Sequence, residues 1–145
     1  MNAPDTTVPA KRPASHKWAL LVFAAVAAAN IMLNVMGHFD ALGVIVTVAG
    51  VVAFLASILF ARSRSTYTLG IVTLGLVFIR AIQSLWFDIA AYLDNLSHAS
   101  QGVTLPAIAM AGSFVVLLFL LLRAYTLGTP SRQYFGLPAV PTRNA

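Results

Sequence analysis

Four apolar runs, each long enough to cross a lipid bilayer, dominate this sequence of 145 residues. A hydrocarbon core about 30 Å thick requires about 20 predominantly apolar residues in an α-helix. The runs lack the alternating pattern of membrane-barrel strands, so they indicate helices. The predicted spans cover residues 18–36, 42–61, 67–92 and 103–122. We therefore predict an all-α membrane protein with four transmembrane helices.

The low charge content excludes a water-soluble domain. Charged residues make up only 9% of the chain, whereas soluble domains average about 25%. The net charge of +5 does not indicate nucleic-acid binding, because the basic residues lie between the apolar runs instead of clustering on a soluble face. The absence of cysteine from the sequence excludes disulfide bonds and thiolate metal sites.

The positions of the basic residues predict an orientation. Every Lys and Arg except Arg80 lies before span 1, between spans 2 and 3, or after span 4. The positive-inside rule places these segments in the cytoplasm. We therefore expect a multi-pass protein of the plasma (inner) membrane with both termini cytoplasmic. Residues 1–17 and 126–145 contain several prolines and predict disordered tails on either side of a bundle formed by residues 18–125.

The first span also resembles a secretory signal peptide. Lys11, Arg12 and Lys17 precede an apolar run that reaches Ala27-Ala28-Ala29, a small-residue pattern typical of a cleavage site. The apolar run nevertheless continues to Met36. This continuation favours a retained span over a cleaved one.

Small residues at four-residue spacing predict close helix packing, because such residues let helix backbones approach each other in lipid. Span 1 carries Ala24 and Ala28, with Ala25 and Ala29 beside them, and span 2 carries Ala49, Ala53, Ser57 and Ala61. A weak internal repeat is also present, since Tyr-Thr-Leu-Gly occurs at residues 67–70 and again at residues 125–128.

One basic residue lies inside a span. Arg80 falls within span 3, where a guanidinium group costs about 2.5–3.5 kcal/mol on insertion scales. Residues at four-residue spacing share a helix face, so Arg80 belongs to one of two polar stripes. Span 3 carries Arg80, Ser84 and Asp88 with Gln83 beside them, and span 1 carries Asn30, Asn34 and His38. At 1.5 Å per residue the two stripes lie at matching depths, with Arg80 near mid-membrane, and we expect spans 1 and 3 to face each other.

This polar cluster has two interpretations. In the first, the asparagine side chains and Asp88 satisfy Arg80, and the cluster holds the bundle together. In the second, Arg80 binds an anionic or carboxylated solute, since the guanidinium fork matches such groups. Asp88 and His38 would then exchange protons near neutral pH.

The three histidines raise a redox interpretation. Haem iron is held by axial side chains such as histidine, and His38 and His98 are both predicted on the outer side. A second histidine within a span is missing from the sequence. A metal site built from His38, His98, Asp40 and Asp88 would have suitable ligands, but their spacing matches no known metal motif. We therefore expect neither a cofactor nor a metal.

Motifs of hydrolases, phosphate-binding loops and zinc proteases are absent from the sequence. The short chain and its small-residue stripes favour a non-enzymatic accessory or assembly component of a membrane complex. We expect its partners to be the lipid bilayer and either further copies of itself or other membrane subunits, and not nucleic acid. The alternatives are a small oligomeric transporter or channel that uses Arg80 for an anionic solute, and a redox subunit that binds haem or quinone.

Overall fold

The computed structural model of the protein describes residues 11–37, 40–60, 62–98 and 104–138, with the side chains of residues 95–98 not described. All regular structure in this part of the chain is helical. The helices are α1 (Ala14–Val35), α2 (Ala41–Leu59), α3 (Arg64–His98), α4 (Leu105–Leu127) and α5 (Thr129–Tyr134). Helices α1 to α4 are each long and apolar enough to span a membrane, which confirms the four predicted spans and supports a multi-pass membrane protein.

Local sequence signals explain where these helices begin and end. The carboxylate of Asp40 accepts a hydrogen bond from the Leu42 backbone N–H at 3.1 Å and so caps the start of α2. The hydroxyl of Ser63 accepts one from the Thr66 N–H at 3.0 Å and caps α3 in the same way. Gly37 follows α1 with a φ of 85°, a left-handed conformation that favours glycine after a helix.

The four long helices pack as two hairpins, α1 with α2 and α3 with α4, and the hairpins meet mainly through α2 and α3. The predicted close packing is found for small residues of α2, whereas Ala24, Ala25, Ala28 and Ala29 of α1, for which it was also predicted, are exposed. Ala53 and Ser57 are buried on α2, and a Cβ added at Gly50 would lie 3.5 Å from the Phe23 carbonyl oxygen. This distance shows that the two helix backbones lie close together.

The two ends of the bundle differ in charge. One end, which we call the basic end, comprises the start of α1, the α2–α3 connection and the end of α4, together with α5. Its described basic residues are Lys11, Arg12, Lys17, Arg62, Arg64, Arg123 and Arg132. The opposite or acidic end carries Asp40 and, on the second half of α3, Asp88 and Asp94.

The helices differ in extent from the predicted spans. Helix α1 begins at Ala14, four residues before the predicted span, and His16 in its first turn is buried. Helix α3 has 35 residues and extends about 52 Å, well beyond a 30 Å hydrocarbon core. Helix α5 lies in the region predicted as a disordered tail, and its Tyr134 is buried. The rings of Tyr134 and Phe135 in this segment pack against His16, and a segment this short lacks the 20 apolar residues that indicate a span.

Candidate functional site

Arg80 forms an ion pair with Asp40. Its Nη2 atom lies 2.5 Å from the Asp40 Oδ2 atom, and the two side chains are 32% and 39% exposed. Its Nη1 atom also approaches the Oε1 atom of Gln83 at 3.5 Å. The carboxylate that meets Arg80 therefore comes from the start of α2, and not from Asp88 on the same helix, as the sequence pattern predicted. An ion pair between two elements ties α3 to the α1–α2 hairpin.

Asp40 uses its two carboxylate oxygens for different tasks. Oδ1 caps α2 through the Leu42 N–H, while Oδ2 meets the guanidinium of Arg80. The side chain of Asn30 reaches the same turn of α2 from α1, because a Cβ added at Gly43 would lie 2.6 Å from Asn30 Oδ1 and 3.0 Å from Asp40 Oδ2. Gly43 therefore permits the two oxygen atoms to converge on the first turn of α2.

This contact moves the guanidinium away from mid-membrane. Helix α2 has 19 residues and a length of about 28 Å, close to the thickness of the hydrocarbon core. Asp40 directly precedes α2 and so lies at the boundary of the apolar layer. The Arg80 side chain extends toward that boundary, since Gln83, its other contact, lies one turn further along α3. Long basic side chains commonly reach the membrane interface in this way.

The other predicted site residues are distributed differently from the expected facing stripes. The side-chain amides of Asn30 and Asn34 donate to carbonyl oxygens of their own helix, those of Val26 and Asn30 respectively, each at 2.8 Å. Ser84 is exposed, and Asp88 lies half-buried two turns beyond Arg80 on α3. His38 lies outside the described residues. Arg80 thus contacts Gln83 and Asp40, and Asn30 lies near Gly43 on the first turn of α2; Asp40 was absent from the predicted cluster.

An aromatic cluster at the basic end was not predicted as a site. The side chain of His16 is almost fully buried, at 1% exposure, and its ring lies 5.3 Å from that of Phe135 and 5.5 Å from that of Tyr134. Tyr125 is fully buried beside it. The cluster therefore joins the start of α1, the end of α4 and the α5 segment, and it attaches the C-terminal segment to the bundle.

Helix α3 contributes the remaining members of this cluster. The rings of Tyr67 and Tyr125 stack with centroids 5.5 Å apart, and the Tyr67 hydroxyl donates to the Thr126 carbonyl oxygen at 2.8 Å. Gly70 provides the space for Tyr125, whose Cζ atom would lie 2.9 Å from an added Cβ. The repeated Tyr-Thr-Leu-Gly sequence was the available signal, since its two tyrosines are the residues that stack.

The side of the bundle formed by α1 and α4 is open. The two helices touch less than the helices of either hairpin, and an apolar groove of about 500 Å³ separates them in the half of the bundle next to the basic end. Beside the groove, Ala24, Ala25, Ala28 and Ala29 of α1 are exposed. This exposed alanine face of α1 has no neighbouring helix within the described chain, although its residues suit close helix contact.

The potential metal ligands do not converge in the described part of the chain. No group of three or more His, Asp or Glu side chains there is arranged to hold a metal ion. His16 is enclosed by aromatic rings, whereas His38 and the side chain of His98 lie outside the described residues. The features that the described residues do show are the ion pair at Asp40 and the exposed alanine face of α1.

The chain matches no protein-family model, no curated protein and no solved structure.

Proposed function

We propose that the protein is a non-enzymatic accessory or assembly component of a membrane complex. The observation that carries this proposal is the exposed alanine face of α1. Alanines at four-residue spacing give no advantage in contact with lipid, because lipid packs equally well against larger apolar side chains. They do allow the backbone of another helix to approach closely. The face therefore suits a transmembrane helix of a second subunit, either another copy of this chain or a different protein.

The ion pair of Arg80 with Asp40 supports this structural interpretation. A guanidinium group intended for a solute would need a free hydrogen-bonding face in a wet cavity. In this protein the carboxylate of Asp40 already meets it at 2.5 Å. The paired charges then stabilise the bundle that presents α1 to its partner. The basic residues at one end favour an orientation with both termini cytoplasmic in the plasma (inner) membrane.

The proposal is tested by exchanging Ala28 for leucine. Extra bulk at a close-packed contact costs roughly 1–3 kcal/mol, which corresponds to a loss of affinity of roughly five- to a hundredfold. We expect the tagged wild-type chain, extracted in mild detergent, to co-purify with a stoichiometric subunit, and Ala28→Leu to lose that subunit while retaining its helical circular dichroism spectrum.

Ala124→Leu is the matched control. Ala124 is also an exposed alanine, on α4, but its helix neighbours Leu120 and Leu127 are exposed and bulky, so this position has no small-residue face. We expect Ala124→Leu to retain the subunit. Retention of the subunit by Ala28→Leu, or purification of the wild-type chain as a single copy without any subunit, would refute the proposed role.

A further inference from the structure

The groove between α1 and α4 is a shaped apolar surface. Bulky side chains from both helices line it, among them Trp18, Leu21 and Val22 of α1 and Phe114, Leu117 and Leu121 of α4. Trp18 and Leu117 are 60% and 63% exposed, so the groove opens laterally toward the surrounding lipid. In a bilayer such an apolar hollow excludes water and is filled by hydrocarbon.

The dimensions of the groove favour an acyl chain over a helix. From Trp18 to Val26 the groove follows α1 for about 12 Å. One leaflet of the hydrocarbon core is about 15 Å deep, so the groove matches a single leaflet, whereas a transmembrane helix spans both. Apart from Ala25 the lining residues are large, and the small residues that let a helix approach closely are missing from it.

The charge around the groove selects the headgroup. The groove lies against the basic end, and Trp18 stands at its end, where an indole ring suits the headgroup region. Lys17 is exposed and shares a helix face with Leu21, four residues further along α1. The described acidic residues, Asp40, Asp88 and Asp94, all belong to the opposite end. A negatively charged phosphate beside the groove is therefore attracted by Lys17, and none of the described carboxylates lies near enough to repel it.

We propose that the groove between α1 and α4 binds one anionic phospholipid. One acyl chain lies along Leu21, Leu117 and Leu121, and the phosphate group lies beside Lys17. This site adjoins the alanine face of α1 and shares Ala25 with it, so the lipid and a subunit would contact neighbouring surfaces of the helix.

The test uses the full chain in detergent and native mass spectrometry. The protein is titrated with phosphatidylglycerol and, in parallel, with phosphatidylcholine of the same acyl chains. We expect one tightly bound phosphatidylglycerol per chain and weaker binding of phosphatidylcholine. Lys17→Gln is expected to lower phosphatidylglycerol affinity about fivefold, as the loss of one basic residue near an anionic surface predicts. Arg123→Gln is the control, since Arg123 lies at the same end on the opposite face of α4.

A second pair of variants tests the groove itself. Leu117→Trp fills the groove and is expected to lower the affinity for both lipids, whereas Leu120→Trp adds the same bulk to an exposed position outside it and is expected to have no effect. Equal binding of the two lipids, an unchanged affinity in Lys17→Gln, or equal effects of the two tryptophan variants would overturn the proposal. So would the release by Leu117→Trp of a bound polypeptide in place of a lipid.

Discussion

The two roles of Asp40 can be separated by mutation. Asp40→Asn removes the charge that meets Arg80 but keeps a side-chain oxygen that caps α2, because asparagine caps helices as well as aspartate does. Asp40→Ala removes both. The stability lost in Asp40→Asn therefore measures the contribution of the ion pair, and the additional loss in Asp40→Ala measures the contribution of the cap.

The expected magnitudes follow from the geometry. Exposed ion pairs contribute about 0–1 kcal/mol, and removing one partner of a buried pair costs about 3–5 kcal/mol. With side chains 32% and 39% exposed, the Arg80–Asp40 pair lies between these limits, and we expect Asp40→Asn to cost about 1–3 kcal/mol. Asp40→Ala is expected to cost about 1 kcal/mol more, the usual contribution of a helix cap.

The assay is equilibrium unfolding in detergent micelles, followed by circular dichroism, for the wild type, Asp40→Asn, Arg80→Gln and the double variant. If the charges interact, the double variant loses less stability than the sum of the single variants, by at least about 1 kcal/mol. Additivity within about 0.5 kcal/mol would refute the ion pair as a link between α3 and the α1–α2 hairpin. Equal losses in Asp40→Asn and Asp40→Ala would refute the capping role.

Two further predictions concern the aromatic cluster at the basic end. Gly70→Ala is expected to destabilise the bundle by about 1–3 kcal/mol in the same unfolding assay, because the new methyl group displaces the buried Tyr125 ring. Gly75→Ala, on the same helix with nothing within 4 Å of the added Cβ, should instead stabilise it by about 0.5–1 kcal/mol. Equal effects of the two changes would contradict the close contact. Tyr67→Phe is expected to cost about 0.5–1.5 kcal/mol through loss of the hydrogen bond to Thr126. In Tyr125→Phe the lost hydroxyl is buried without a hydrogen-bond partner in the described chain, so the free energy of unfolding should stay the same or rise. A larger loss of stability in Tyr125→Phe than in Tyr67→Phe would contradict this expectation.

The helical spans were predictable because membrane thickness sets their length. Runs of about 20 apolar residues leave few alternatives to a helix, and the structure differs from the predicted spans mainly at their ends. Helix α3 is the largest difference, since it begins at Arg64 and continues past residue 92, the predicted end of span 3, to His98. A helix of six residues such as α5 is too short to show a comparable apolar run in the sequence.

The partner of Arg80 was harder to predict. The matching depths of Asn30 and Arg80, counted along α1 and α3, remain a prediction, and the side-chain oxygens of Asn30 and Asp40 both lie next to Gly43. Asp40 lies between the predicted spans 1 and 2, and the depth of the Arg80 backbone does not give the depth of its guanidinium group. The long Arg80 side chain and the capping aspartate at the start of α2 bring the two charges into contact.

The proposed role in a membrane complex is tested most directly by cross-linking from Ala28. The chain contains no cysteine, so Ala28→Cys carries a benzophenone maleimide at one position only, and Ala124→Cys provides the control on α4. Illumination in native membranes is expected to give a discrete polypeptide adduct, heavier than the 15.4 kDa chain, from position 28 and only lipid labelling from position 124. Lipid labelling alone at both positions would contradict a subunit packed against α1.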